Sequence, residues 1–405
     1  MKIGIAGAGI GGLAAAALLA ARGHAVVLHD RFDAPRPVGS GLVIQPVGLA
    51  VLDHTGAGVT ARALGAPLRR MLGHEARSSR PVLDVSYDHR GSGRHGLAIH
   101  RSALFDALLQ AALAAGAKLI PAAEVAGHDA GRLIFADGHL SDRFDLIVDA
   151  TGTRSPLSPL RARPLAYGAV WGTVDWPATD LPGDELRQCY RAANRMIGVL
   201  PIGQITPGGS RKAAIFWSLP AGSHAAWQAR GLQAWQEEAV ALWPAFAPFA
   251  AQITDVTRMT MARYGHGTLR RPYGKGIVHI GDAAHRASPQ LGQGANMALL
   301  DALGLALALE RASGDAALAL YAQARRWHVR AYQAFSAVFT PQYQSDSRWL
   351  PGLRDRVLFP LSQITPLPHV LTSLVCGTLL PPLASLTPHG FFGSEISRGG
   401  QAQRG

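Results

Sequence analysis

The sequence predicts an α/β protein: a parallel sheet covered by helices, interrupted by an inserted and mainly antiparallel sheet, and followed by a helical C-terminal extension. Three observations predict it. A glycine-rich turn, Gly7-Ala8-Gly9-Ile10-Gly11-Gly12, stands between an apolar stretch and an Ala/Leu-rich run. A second glycine-bearing stretch, Gly281-Asp282-Ala283-Ala284-His285 through Asn296, returns far downstream. Between them, residues 165–265 show β-type stretches and few long helices.

Ile3 to Ala6 reads as a buried strand. Leu13 to Ala21 has strong helix propensity, Arg22-Gly23 ends it with a residue suited to a left-handed cap, and Ala25 to Leu28 is a second apolar strand closed by Asp30. This strand–turn–helix–strand unit is Rossmann-like and predicts a dinucleotide site. Gly7 permits the tight turn, Gly9 lets backbone N–H groups approach phosphates, and Gly12 lets the helix lie close to the strand. Ile10 and Gly11 complete the turn. The helix N-terminus favours the negative charge. Asp30 stands where a carboxylate accepts hydrogen bonds from a ribose diol. Residues 3–21 carry no charge, yet glycines interrupt the run and a second strand follows at once, which argues against a signal peptide or a membrane span.

Ser102 to Ala115 reads as a helix, and strands near Leu119, Leu133 and Leu146-Ile147-Val148 return to the nucleotide domain. Val82 to Tyr87 is an excursion strand. Tyr167 to Val174, Met196 to Pro201 and Ala213 to Leu219 predict the antiparallel sheet, with a helix at Leu232 to Leu242. Gly276 to Ile280 leads into Gly281-Asp282, and a helix runs from about Met297 to Arg311. The expected division is 1-75, 97-160 and 266-330 for the nucleotide-binding domain, 76-96 and 161-265 for the β-sheet substrate domain, 331-395 for the helical extension and 396-405 for a flexible tail.

Bulk properties bound the function. At 405 residues the chain is long enough for two domains. Its net charge is +12, from 39 basic and 27 acidic residues, of which only four are Lys. No basic run or aromatic–basic interleave marks a nucleic-acid groove, so the charge reads as a positive surface field for an anionic cofactor or substrate, or for a membrane face. Cys189 and Cys376 are far apart, and no Cys/His spacing suggests a disulfide framework or a metal site. A cytoplasmic location is expected.

Asp282 at a strand end can reach ribityl hydroxyls. The small residues Gly292, Gly294, Ala295 and Asn296 precede a helix, where N–H groups can meet the pyrimidine side of a flavin. Two remote glycine-bearing turns together point to FAD. Residues 281–302, GDAAHRASPQLGQGANMALLDA, resemble the second FAD motif of class A flavoprotein monooxygenases, the para-hydroxybenzoate hydroxylase-like group that includes the ubiquinone-biosynthesis hydroxylases. Arg101 matches that family's flavin-contacting Arg at a helix start. Glu124-Val125 matches the segment whose backbone meets adenine, and Gly39 to Gln45, with Gly41, matches the loop that passes the isoalloxazine. Tyr343 to Ser347 is similar to the C-terminal part of such hydroxylases. The resemblance implies non-covalent FAD, NADH or NADPH as reductant, dioxygen, and hydroxylation of a phenol- or quinolone-like ring through a flavin C4a-hydroperoxide. Pro289 belongs to the matching motif and is the substrate-side candidate.

The middle motif departs from the family. Asp149-Ala150-Thr151-Gly152-Thr153-Arg154-Ser155 carries Thr151 where an acid is usual, and Ser158 stands where an Arg is usual. That leaves FAD in place and opens an alternative: a flavin-dependent reductase or cyclase acting on an isoprenoid. A non-catalytic flavin-binding module is a third reading. No catalytic base is named. Tyr167, Trp171, Thr173, Phe216 and Ser218 are candidate cavity-lining residues, with Trp171 and Thr173 on one face and Val170 and Gly172 on the other. His285 reads as local packing. Leu350 to Leu386 is apolar but broken by six prolines, which excludes a spanning helix. It predicts short helices covering a substrate tunnel, a homodimer contact, or peripheral membrane attachment.

Overall fold

A computed structural model describes residues 1–33, 40–88, 91–388 and 391–392. The expected tail, 396–405, and Gly39 lie outside the described residues. A six-stranded sheet runs in the order Tyr273–Gly274, Ile277–His279, Leu146–Asp149, Lys2–Ala6, Ala25–His29, Lys118–Ile120. All its pairs are parallel except the first. The strands read as unbroken apolar runs because both faces are covered. Ile3 and Ile5 lie opposite Leu146 and Val148 on one side and Val26 and Leu28 on the other.

The helix Ile10–Ala20 follows the first strand, and every residue from Gly12 to Ala20 is buried. Its alanines let it pack between the helices Arg101–Ala114 and Gly294–Arg311. Gly23, at φ 81°, closes it in the left-handed region. The downstream helix starts at Gly294 rather than near Met297, so Gly294, Ala295 and Asn296 form its first turn.

An eight-stranded sheet runs His285–Arg286, Thr260–Thr268, Arg163–Asp175, Lys212–Pro220, Arg195–Pro201, Glu185–Arg191, Arg70–Glu75, Pro81–Ser86. It draws on the chain before residue 76 and beyond 265, so the expected boundaries divide it at both ends. The strand at Leu133 also differs: Arg132–Phe135 joins Val125–Asp129 in a separate hairpin outside the six-stranded sheet. The alternation of Arg163–Asp175 is as read. Val170 faces the cluster of Trp217, Trp235 and Phe246 under the helix Gly231–Leu242, and Trp171 faces the other way, against Phe216, with ring centroids 4.6 Å apart.

Gly41–Ile44, Gly96–His100 and Ala66–Leu68 form a small sheet between the two large ones. The 30-residue helix Gly314–Tyr343 closes the nucleotide domain and crosses to the second sheet. Short helices follow at Leu350–Leu353, Phe359–Ser362 and Leu367–Cys376. Among the described residues, no helix is long and apolar enough to cross a membrane.

Candidate active site

The glycine turn is built by backbone demands. Gly7 sits at φ 96°, and a Cβ there would lie 2.6 Å from the Ala150 carbonyl oxygen. A Cβ at Gly12 would lie 1.9 Å from the Gly7 carbonyl. Gly9 has open space around its missing side chain, and no side chain caps the helix it precedes. The first-turn N–H groups therefore face a cavity of about 700 Å³, lined by Gly7, Gly9, Ile10, Asp30, Arg101 and Val125. The Asp30 carboxylate accepts from the Ala8 N–H at 2.7 Å and the Phe32 N–H at 3.1 Å. It thus holds the turn in shape while keeping lone pairs for a diol. An open glycine, uncapped helix N–H groups and a held carboxylate fit the pyrophosphate and ribose of FAD.

The Thr151 departure has a structural role. Asp149 is fully buried at the end of its strand. It accepts from the Thr151 hydroxyl at 2.6 Å, the Ser155 hydroxyl at 2.7 Å and the His279 ring at 2.7 Å. Burial would raise the Asp149 carboxyl, but these hydrogen bonds outweigh it and hold the pKa below its ordinary value. Ser158 donates to the Ala283 carbonyl at 2.6 Å and so ties the middle segment to the downstream turn.

The two glycine-bearing stretches meet on Ala298. Its methyl lies 3.2 Å from where a Cβ would stand on Gly11 and 3.1 Å from that position on Gly281. Gly11 is thus spent on helix packing. Arg101 and Asp282 both reach solvent yet are closely surrounded by protein. Burial lowers the Arg101 guanidinium against the pull of Asp282, and it raises the Asp282 carboxyl against His285, Arg101 and Arg286. Asp282, Gly41, Pro289 and Gly292 to Asn296 are not walls of the 700 Å³ cavity. Of these, Gly292 and Asn296 meet the strand Gly41–Ile44 and the Gln45 that follows it.

There Asn296, fully buried, accepts the Gln45 N–H at 2.8 Å and donates to the Gly292 and Val43 carbonyls at 2.9 and 3.2 Å. A Cβ on Gly292, at φ 60°, would meet the Gln45 amide nitrogen at 3.1 Å. Gln45 is fully buried, and although its amide approaches the Tyr87 hydroxyl, neither amide atom reaches hydrogen-bond geometry with a described residue. An orphaned buried amide beside backbone N–H groups fits a polar ring edge such as a flavin pyrimidine. A Cβ on Gly41 would strike Ile202 at 2.3 Å, so its smallness serves the contact with the large antiparallel sheet.

Sequence reasoning placed Gln45 in the loop that passes the ring without singling out its side chain, and it missed His279, Asp301 and Arg325. Asp301 is fully buried and accepts from the Gly281 N–H at 2.9 Å, His285 Nε2 at 2.7 Å and Arg325 Nε at 2.7 Å. Burial would raise its carboxyl, but His285 and Arg325 push it far below the carboxylate range. His285 is therefore occupied in packing. One sequence signal was available: an acid in the middle of an apolar run, here Met297 to Leu309, demands a partner.

Leu83, Trp171 and Leu186 each border two buried clusters, as do Phe339 and Leu371. They stay half-buried along an apolar seam where the antiparallel sheet, the long helix and Leu367–Cys376 meet. Trp171 Nε1 donates to the Tyr264 hydroxyl at 3.0 Å. Pro289–Leu291 abuts the long helix nearby. Tyr167, Phe216 and Ser218 are core residues: all three are buried, Tyr167 donates to Asp346, and Ser218 accepts the Met196 N–H at 2.7 Å. Trp171 and Thr173 remain half-exposed. Burial pushes the Cys189 thiol up to about 12, so it is not a nucleophile. Among the described residues no cluster could hold a metal.

The fold and this cleft define a flavin-nucleotide oxidoreductase. The chain belongs to the family described as FAD binding domain, which matches residues 1–336. It is 29% identical over 350 residues to a 2-heptyl-3-hydroxy-4(1H)-quinolone synthase of Mycobacteroides abscessus, covering 82% of this chain and 88% of that one. It is 26% identical over 333 residues to an FAD-dependent urate hydroxylase of Klebsiella pneumoniae, covering 79% and 84%. Among solved structures, a Klebsiella pneumoniae HpxO variant complexed with FAD superposes with TM-score 0.77 at 21% identity, covering 94% of this chain and 99% of that one. A 2-methyl-3-hydroxypyridine-5-carboxylic acid oxygenase gives 0.75 at 22% identity, covering 92% and 95%. These two likenesses concern the fold.

Proposed function

We propose that this protein is an FAD-dependent monooxygenase that hydroxylates an apolar, quinolone-like aromatic ring, with NADH or NADPH as reductant. FAD, when bound, accepts hydride and activates dioxygen. The chain's own residues do the rest. The Gly7–Gly12 turn and Asp30 hold the dinucleotide end, Arg101 offers a cation in the same cleft, and the segment Gly292–Asn296 with Gln45 holds the ring end. Pro289 stands at the substrate side.

The observation that carries the reading is the apolar seam beside Val43 and Leu291, where Leu83, Leu186, Phe339 and Leu371 lie half-buried between three buried clusters. Apolar side chains there would keep water from the ring, as oxygen activation requires, and they offer an apolar substrate no charge to pair with. Burial pushes the Tyr264 phenol up to about 12 even though Trp171 opposes. Tyr264 therefore stays protonated at neutral pH, with its O–H free to hold a polar substituent on the ring. Relatives named for quinolone, urate and 3-amino-4-hydroxybenzoate chemistry support an aromatic substrate.

Anaerobic stopped-flow reduction by NADH and NADPH across phenols, alkylquinolones and polyprenyl aromatics tests the proposal. A matching alkylquinolone should accelerate flavin bleaching and, in air, consume oxygen and gain one oxygen atom. Turnover of a polyprenyl compound without oxygen uptake would favour the isoprenoid reductase instead.

A further inference from the structure

The described residues expose fifteen large hydrophobic side chains, and eight of them fall between residues 349 and 370. That segment is a small fraction of the chain, so the concentration is not the scattered exposure normal for a surface. Trp349 is 87% exposed and Ile364 59%; Leu353, Val357, Leu361 and Val370 accompany them. The short helices are broken by exposed Pro360 and Pro366, so no continuous groove forms.

Arginine predominates around this apolar surface, and Asp346 at its start is engaged by the Tyr167 hydroxyl. Between residues 347 and 370 the only acid is Asp355, and it accepts from the buried Arg354 at 2.6 Å. Arg348 and Arg356 are exposed. A second exposed patch lies on the long helix Gly314–Tyr343, where Trp327 lies under the guanidinium groups of Arg326 and Arg330, 5.0 and 5.4 Å from its ring. By helical spacing Trp327, Arg330, Ala334 and Val338 share one face, and Val338 is 63% exposed.

We infer that this C-terminal surface docks on an anionic lipid bilayer. Exposed Trp and aliphatic side chains beside Arg are the side chains that sit at the headgroup boundary, and anionic lipid complements the +12 net charge. A second copy of this chain would instead bring Arg348 and Arg356 against the same cations across a two-fold axis. The surface is also continuous with the apolar seam: the ten-residue helix Leu367–Cys376 presents Leu367 and Val370 outward and packs Leu371 inward against two buried clusters. The inference goes beyond the proposed reaction and does not depend on it.

The test is flotation of the full-length, FAD-loaded protein with phosphatidylcholine vesicles, with and without phosphatidylglycerol, alongside analytical ultracentrifugation. The expected result is binding to the anionic vesicles, weakened by salt, with lipid affinity falling about tenfold or more in Leu361→Asp combined with Ile364→Asp. Arg326→Glu with Arg330→Glu should weaken it independently, on a solvent-facing stripe that does not test the fold. Unchanged flavin content shows that each variant is folded. Wild-type protein that stays at the bottom of the gradient overturns the inference, as does equal flotation of both variants. A dimer that the Leu361→Asp/Ile364→Asp change dissociates, without lipid binding, would assign the surface to a second copy.

Discussion

The carboxamide of Asn296 accepts the backbone N–H of Gln45 at 2.8 Å, so a residue in the first turn of the downstream helix fixes the strand that passes the ring end of the cleft. The same amide donates to Val43 and Gly292. One side chain thus joins two parts of the site that are remote in sequence.

Asn296→Ala leaves a buried N–H and two carbonyls without that partner. It should cost about 2–3 kcal/mol of stability and lower the urea midpoint. Because the strand and the clamp would then move apart, retention of FAD should fall more steeply than stability does. Equal flavin content in variant and wild type, after dialysis, would separate the strand from the site.

Gly9 and Gly12 should respond in opposite ways. Gly9 has nothing within 4 Å of its missing side chain, so Gly9→Val should leave the apoprotein folded and weaken FAD binding about tenfold or more by blocking the phosphate approach. A Cβ on Gly12 would lie 1.9 Å from the Gly7 carbonyl, so Gly12→Ala should already damage the apoprotein. Asp30→Ala should resemble Gly9→Val in lost flavin, with added disorder of the turn, since Ala8 N–H loses its acceptor. Thermal melts of flavin-stripped protein beside flavin titrations distinguish the cases.

How much of this was legible depends on where each partner lies. The Gly7–Gly12 turn could be read because strand, turn, helix and acid are neighbours in sequence and each glycine answers a local demand. The alternation at Val170 and Trp171 was likewise local. Arg70–Glu75 was not legible as part of the large sheet, since Leu72-Gly73-His74 lacks a period-2 pattern and its partner is the remote strand Glu185–Arg191. Thr151 read as a loss of an acid. It is better understood through Asp149, whose ligand His279 comes from a neighbouring strand and could not be inferred from the motif. The apolar C-terminal segment was visible in composition, but which of its side chains turn outward is decided by packing.

Acid should destabilise the fold through two buried histidines. Burial lowers His29 to about 4 and lowers His328 to about 3, with Arg325 adding to the effect. His29 sits against Phe135 and Phe144, and neither ring nitrogen has a hydrogen-bond partner among the described residues. In the unfolded chain both rings titrate near the ordinary histidine value of about 6.5, so between these values the unfolded state binds more protons. Stability therefore holds above that value and falls as pH drops, with the His29 share complete near its folded pKa and the His328 share continuing below it. Urea denaturation of apoprotein across mildly acidic pH should show this slope, and His29→Phe should remove about one proton from it. An unchanged slope would mean that the His29 ring is solvated.

Asp301 offers a sharper test of what the hidden network does. It is fully buried between His285 and Arg325 and also accepts the Gly281 N–H that begins the downstream turn. Arg325 itself is 2% exposed and donates further to the Pro382 carbonyl at 3.0 Å and to His328 Nδ1 at 3.1 Å. Since a guanidinium only donates, that histidine nitrogen accepts, and its Nε2–H donates to the Gly377 carbonyl. Asp301→Asn keeps the shape but strands the Arg325 charge, and it should destabilise the protein by about 3–5 kcal/mol. Arg325→Met strands the carboxylate instead and should cost a similar amount. If the pair serves stability alone, Asp301→Leu combined with Arg325→Met should recover most of the loss and bind FAD normally. We expect stability to recover and FAD affinity to stay weak, because the Gly281 N–H would still lack the acceptor that shapes the turn. Full recovery of both quantities would show that the turn needs no carboxylate to hold it.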